Sequence, residues 1–122
     1  MKLEKLTIQE EEAMLSIWQL NGGFIKEILE NLKGESVPYT TLASTIKNLL
    51  KKGYVKPVPY ANAKRYEPVI SEEEYKTGYM NSFVGDYFRS SYKEMVSFFV
   101  KEEKLSENEL KEIMEMIKNG KS

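Results

Sequence analysis

Three of the four prolines in this chain, Pro57, Pro59 and Pro68, fall in the short stretch that follows Tyr54. No helix runs through such a stretch, because each proline removes a backbone donor and its ring clashes with the preceding turn. On either side the apolar residues repeat at helical spacing, so the order must be helices, an extended interruption, then helices again. The interruption reads as two short strands, Tyr54-Val55-Lys56-Pro57-Val58 and Lys64-Arg65-Tyr66-Glu67-Pro68, around a tip Pro59-Tyr60-Ala61-Asn62-Ala63. Because proline cannot donate to a ladder, its place in a strand is at an edge or an end.

Upstream, Thr7-Ile8-Gln9-Glu10 has the spacing of a capping box. It predicts a helix from about Ile8 to Leu20, with Met14, Ile17 and Trp18 on one face and a stop at Asn21-Gly22-Gly23. Ile25, Ile28, Leu29 and Leu32 then recur at i, i+3, i+4, i+7, a second and shorter helix that Gly34 ends. A third is announced by Pro38, whose fixed φ suits a first helical turn. Its inward stripe is Leu42, Ile46, Leu49 and Leu50, Lys51 and Lys52 occupy its last turn, and Gly53 closes it. Three helices followed by a short hairpin predict a winged helix-turn-helix over residues 1–70.

Downstream the pattern returns to helix. Ser71-Glu72-Glu73-Glu74 and Ser106-Glu107-Asn108-Glu109 are further capping boxes. Residues 71–122 carry apolar and aromatic stripes, among them Tyr79, Phe83, Tyr87, Tyr92, Met95, Phe99, Leu110, Ile113 and Ile117. About fifty residues in three short helices bury such stripes poorly alone. Pairing with a second copy satisfies them and sets two reading heads on a palindromic site, so these residues are the predicted dimerisation surface. The fold class expected is mainly α: three helices, a β-wing and a helical dimerisation domain.

The 122 residues include no histidine and no cysteine, which excludes disulfides, Cys/His zinc sites, thiolate copper sensing and His-dependent catalysis. The consecutive acids Glu10 to Glu12 and Glu72 to Glu74 radiate around their helices, and helix-start preference accounts for them. Gly22-Gly23 has no phosphate-loop spacing. Neither an enzyme nor a cofactor is implied. With 30% charged residues and no secretory apolar run at Met1-Lys2-Leu3-Glu4-Lys5, the chain is expected in the cytoplasm, without membrane insertion.

The net charge of −1 conceals a strong asymmetry. From Ser36 through Tyr66 there is no acidic residue, against six basic ones, whereas from Ser71 onward eight basic residues face eleven acidic. On the third helix, Thr40, Ser44, Lys47 and Lys51 stand at i, i+4, i+7, i+11, flanked by Tyr39, Thr41 and Asn48. Small hydroxyls allow close approach and donate to phosphates or base edges, while lysines neutralise phosphate charge. These seven are the predicted DNA contacts, with Lys52 from the helix end and Lys64 and Arg65 from the wing adding phosphate contacts. The bland alternatives are a solvated helix face and a hairpin whose basic residues merely keep an edge soluble.

The runs Leu6-Thr7, Glu10, Met14, Ile17-Trp18, then Tyr39-Thr40-Thr41-Leu42 and Leu49-Leu50-Lys51-Lys52-Gly53-Tyr54, together resemble the BlaI/MecI/CopY family of bacterial repressors. The likeness continues through Arg65-Tyr66-Glu67-Pro68 and Ser71-Glu72-Glu73-Glu74-Tyr75 to Leu105-Ser106 and Glu109-Leu110. It implies a homodimeric winged-helix repressor of inverted-repeat operators, of the kind that governs antibiotic resistance. In β-lactam-responsive members a membrane sensor with a protease domain triggers cleavage in the dimerisation region. Tyr39, Thr40, Thr41 and Ser44 match the family's DNA-contacting positions. The copper branch's C-terminal cysteines are absent. At the cleavage position, the family's Asn-Phe is matched by Phe98-Phe99, so the Phe is kept and the Asn is not. Two other readings stay open: a winged helix used as a protein-protein module, and a regulator whose aromatic C-terminal helices bind a small ligand.

Overall fold

The structure, a computed structural model, describes residues 3–32 and 37–120. Among the described residues, six helices and one hairpin follow in the order α1 (Ile8–Leu20), α2 (Ile25–Asn31), α3 (Tyr39–Lys51), β1 (Val55–Tyr60), β2 (Ala63–Pro68), α4 (Glu72–Phe88), α5 (Tyr92–Lys101) and α6 (Glu107–Lys118). The fold is a winged helix-turn-helix followed by a helical unit. The chain divides into two compact units, Met1–Gly78 and Tyr79–Ser122, so the division falls inside α4.

Reciprocal bonds start α1. The Glu10 N–H donates to Thr7 Oγ1 at 3.1 Å and the Thr7 N–H to Glu10 Oε1 at 2.9 Å. The helix stops where Asn21 enters the left-handed region and the Gly22 N–H returns to the Ile17 carbonyl at 2.9 Å, a Schellman-type ending. Helix α2 ends at Asn31, with Leu32 as its cap; the stop expected at Gly34 lies outside the described residues. Pro38 stands one position earlier than expected, as the extended N-cap of α3 and not in its first turn. At the far end the Tyr54 N–H reaches the Leu49 carbonyl across Gly53, whose φ of +80° favours glycine.

The stripes read from the sequence meet in one core. Ala13, Met14 and Ile17 of α1, Ile28 of α2 and Leu42, Ile46 and Leu49 of α3 are buried together with Tyr54, Val55 and Ile70. Fully burying each large aliphatic side chain contributes about 1.5–3 kcal/mol. Trp18 lies at the margin, its indole N–H donating to the Ile70 carbonyl at 2.9 Å and its ring 5.4 Å from that of Tyr75. The Tyr75 hydroxyl donates to Glu11 Oε2, which fastens the first turn of α4 to α1 within this unit.

The hairpin is tighter than expected. The strands pair from Val55↔Pro68 to Tyr60↔Ala63, leaving a two-residue turn, Ala61-Asn62. Tyr54 is not in the strand, because its ring is fully buried and its N–H caps α3. A third piece of backbone joins the sheet: Gly23 and Tyr66 exchange both hydrogen bonds, at 3.1 and 2.8 Å. Tyr66 therefore directs its N–H and C=O away from β1. Pro57, opposite Tyr66, sits where β2 requires no donor.

In the second unit Ser91 caps α5 and a full capping box, Ser106 with Glu109, starts α6. Phe83, Tyr87, Phe88, Phe98 and Phe99 form a chain of ring contacts with centroids 5.0–5.9 Å apart. Among the described residues of this unit, Val84 is the one buried side chain.

Candidate nucleic-acid interface

Helix α3 carries two faces because its residue types separate at helical spacing. Leu42, Ile46 and Leu49 point into the core, and Thr45 joins them, donating its hydroxyl to the Thr41 carbonyl at 3.0 Å. The opposite side holds Tyr39, Thr40, Ser44, Lys47, Asn48 and Lys51, all exposed, with Thr41 half-buried at the border. Tyr39 leaves 52% of its surface to solvent at the helix start. Among the described residues, no ion pair engages Lys47 or Lys51 and no side-chain hydrogen bond engages Thr40 or Ser44. These groups are free to meet a ligand, and no carboxylate stands on the helix to repel a polyanion.

Lys52, expected among the phosphate contacts, is turned inward. Its ammonium lies 2.6 Å from Glu10 Oε1 and donates to the Lys5 carbonyl at 2.8 Å. The cause is Glu10, whose side chain is only 5% exposed; a carboxylate removed from water needs a partner, and Lys52 is within reach at the cap of α3. Burial pushes the Glu10 carboxyl up, but Lys52 and the Thr7 amide and hydroxyl outweigh it and hold it below its ordinary value. Helix-start preference explained only half of what Glu10 does. Its partner is 42 positions away, so no local pattern in the sequence pointed to it.

The two basic wing residues part company. Lys64, opposite Pro59, is exposed, and among the described residues no carboxylate pairs with it. Arg65, its neighbour along β2, points to the other face of the hairpin, where its guanidinium carbon lies 5.6 Å from the Phe24 ring centre. The strand's alternation keeps them from forming one patch.

The residues expected to pair two copies line the second unit. Tyr79, Tyr87, Tyr92, Ile113 and Ile117 are exposed, while Phe83, Met95, Phe99 and Leu110 are half-buried. Val96, Phe98, Val100, Met114 and Met116 extend the exposed apolar surface beyond that set. The Phe98-Phe99 bond lies inside α5, its two carbonyls accepting from Glu102 at 3.0 Å and Lys104 at 2.8 Å.

Among the described residues there is no group of three or more His, Cys, Asp or Glu side chains able to hold a metal ion. Among the described residues, no helix is long and apolar enough to cross a membrane. The family model described as "Penicillinase repressor" matches residues 6–119. The "Penicillinase repressor" of Bacillus licheniformis is 24% identical over 122 residues, spanning 99% of this chain and 95% of that protein. With the first three helices, the hairpin and the helical unit all inside the matched span, the chain belongs to the penicillinase repressor family, a family of DNA-binding transcriptional repressors.

Proposed function

We propose that this chain is a homodimeric cytoplasmic repressor that sets α3 of each protomer into the major groove of an inverted-repeat operator and occludes the promoter by occupying it. The observation that carries the reading is the outward side of α3, where hydroxyls and lysines are exposed and unspent and the helix itself bears no acidic residue. In this reading Tyr39, Thr40, Thr41, Ser44 and Asn48 meet bases and sugars, and Lys47, Lys51 and Lys64 neutralise phosphates. Residues 1–70 form the reading head and residues 71–122 the dimerisation domain.

What supports pairing is the surface of α5 and α6, on which no described residue is buried although their apolar residues recur at helical spacing. A second copy removes such surfaces from water and fixes the separation of the two reading heads. The relative's printed name ties it to a penicillinase, and an operon of the resistance type is the corresponding target here. Induction by a membrane sensor-protease fits a cut near Phe98-Phe99, which separates the protomers without altering the reading heads. Because that bond is helical, α5 has to open locally before a protease engages it.

Selection of bound fragments from genomic DNA tests the proposal. Enrichment of an inverted repeat, including one upstream of this protein's own gene, is the expected outcome. Enrichment of unrelated fragments or of single half-sites contradicts it.

A further inference from the structure

Arg65 sits at a junction that the DNA-binding reading leaves unexplained. Its guanidinium lies over the Phe24 ring, with Nη1 3.8 Å from Glu27 Oε1. The same carboxylate oxygen accepts the Phe24 N–H at 2.9 Å, so one acid both caps α2 and faces the wing. Tyr60 meets the same Phe24 ring edge-on, centroids 5.8 Å apart. The backbone of Gly22 passes so near that a Cβ there would stand 3.4 Å from Arg65 Nη2 and 3.1 Å from the Tyr66 carbonyl. The two Gly23–Tyr66 hydrogen bonds complete the junction. One ring, one carboxylate and one strand of backbone thus hold the hairpin to the start of α2.

The geometry points to Arg65 as a positioning residue of the wing: gripped by Phe24 and Glu27, it fixes the hairpin against α2, and hence beside α3, so that Lys64 on the opposite face meets the DNA backbone. This rests on the DNA-binding reading above. A direct phosphate contact by Arg65 requires it to leave its ring and its carboxylate, and brings a phosphate toward Glu27. Arginine suits the clamp because a flat guanidinium stacks on an aromatic face while its edge meets a carboxylate, which a lysine does not reproduce.

The two roles give opposite signs for Glu27→Gln. Glutamine still accepts the Phe24 N–H and so preserves the cap, but it no longer holds the guanidinium by charge. Affinity is measured on the duplex recovered by selection with wild-type protein, across a salt series. If Arg65 positions the wing, Glu27→Gln, Arg65→Lys and Arg65→Met each weaken binding about three- to tenfold. The Glu27→Gln/Arg65→Met double variant then loses no more than the worse single one. Each also lowers the salt slope by about one per protomer, the Lys64 contact, and Lys64→Ala adds nothing in an Arg65→Met background. Thermal melts confirm that each variant folds. Should Arg65→Met fail to fold, the Glu27→Gln and Lys64→Ala pair carries the same cycle. The inference is overturned if Glu27→Gln binds equally or more tightly while Arg65→Met weakens binding, or if Arg65→Lys retains full affinity. Wild-type protein without salt-dependent DNA affinity sinks the underlying reading as well, and that result appears before any substitution is made.

Discussion

Glu10 and Lys52 show how one residue pair decides what another surface can do. The carboxylate begins α1, reaches the end of α3 and takes Lys52 out of the set available to DNA. Removing one partner of a buried pair costs more than the pair contributes, since the other charge is left without compensation. The pair also makes stability depend on pH. Glu10 is held below its ordinary value of 4.5 in the folded chain, so its contribution is present above that value and is lost as pH falls through the lower folded one. Thermal melts between neutral pH and pH 3 are expected to show a steeper acid decline for the wild type than for Glu10→Gln. Equal slopes would mean that the pair contributes nothing to acid stability.

Among the elements, the helices were legible and the hairpin less so. Capping boxes at Thr7, Ser71 and Ser106, with stripes at i, i+3, i+4, i+7, are local signals, and the structure places helices on them. The hairpin's true turn escaped because Tyr60 and Ala63, assigned to the tip, pair with each other. Nothing in Ala61-Asn62 carries the Asn-Gly or Gly-X signal of a two-residue turn. Ala61 accordingly holds a φ of +55°, a conformation unfavourable for alanine. Ala61→Gly is expected to raise stability by about 0.5–1 kcal/mol by chemical denaturation, and a loss of stability would count against the strained turn. The outward side of α3 could be read from spacing alone, whereas Glu10–Lys52 and Phe24–Arg65 join residues that only the tertiary fold brings together.

At the scale of the molecule, the two units differ in what they bury. The first encloses a shared core from three helices and the wing, whereas the described part of the second buries Val84 and exposes aliphatic residues along α6. Ile117 is 72% exposed and Ile113 is 40% exposed. In a monomer, Ile113→Asp and Ile117→Asp change stability by only about 0.5 kcal/mol, as surface substitutions do. In the proposed dimer they separate the protomers and reduce operator affinity by roughly 10²- to 10⁴-fold, because the second half-site is no longer bound intramolecularly. Sedimentation velocity and binding to a two-half-site duplex read both effects. Unchanged mass and affinity in the double variant would remove the helical unit from the account of pairing.

The central claim is that α3 presents its hydroxyl-and-lysine side to DNA. It is tested most directly by the salt dependence of duplex affinity for wild type and Lys47→Ala. The account predicts that the wild-type affinity falls steeply as salt rises, and that Lys47→Ala weakens binding to all sequences alike while lowering the logarithmic slope by about one per protomer. Affinity indifferent to salt, or a slope unmoved by removing Lys47, would contradict it.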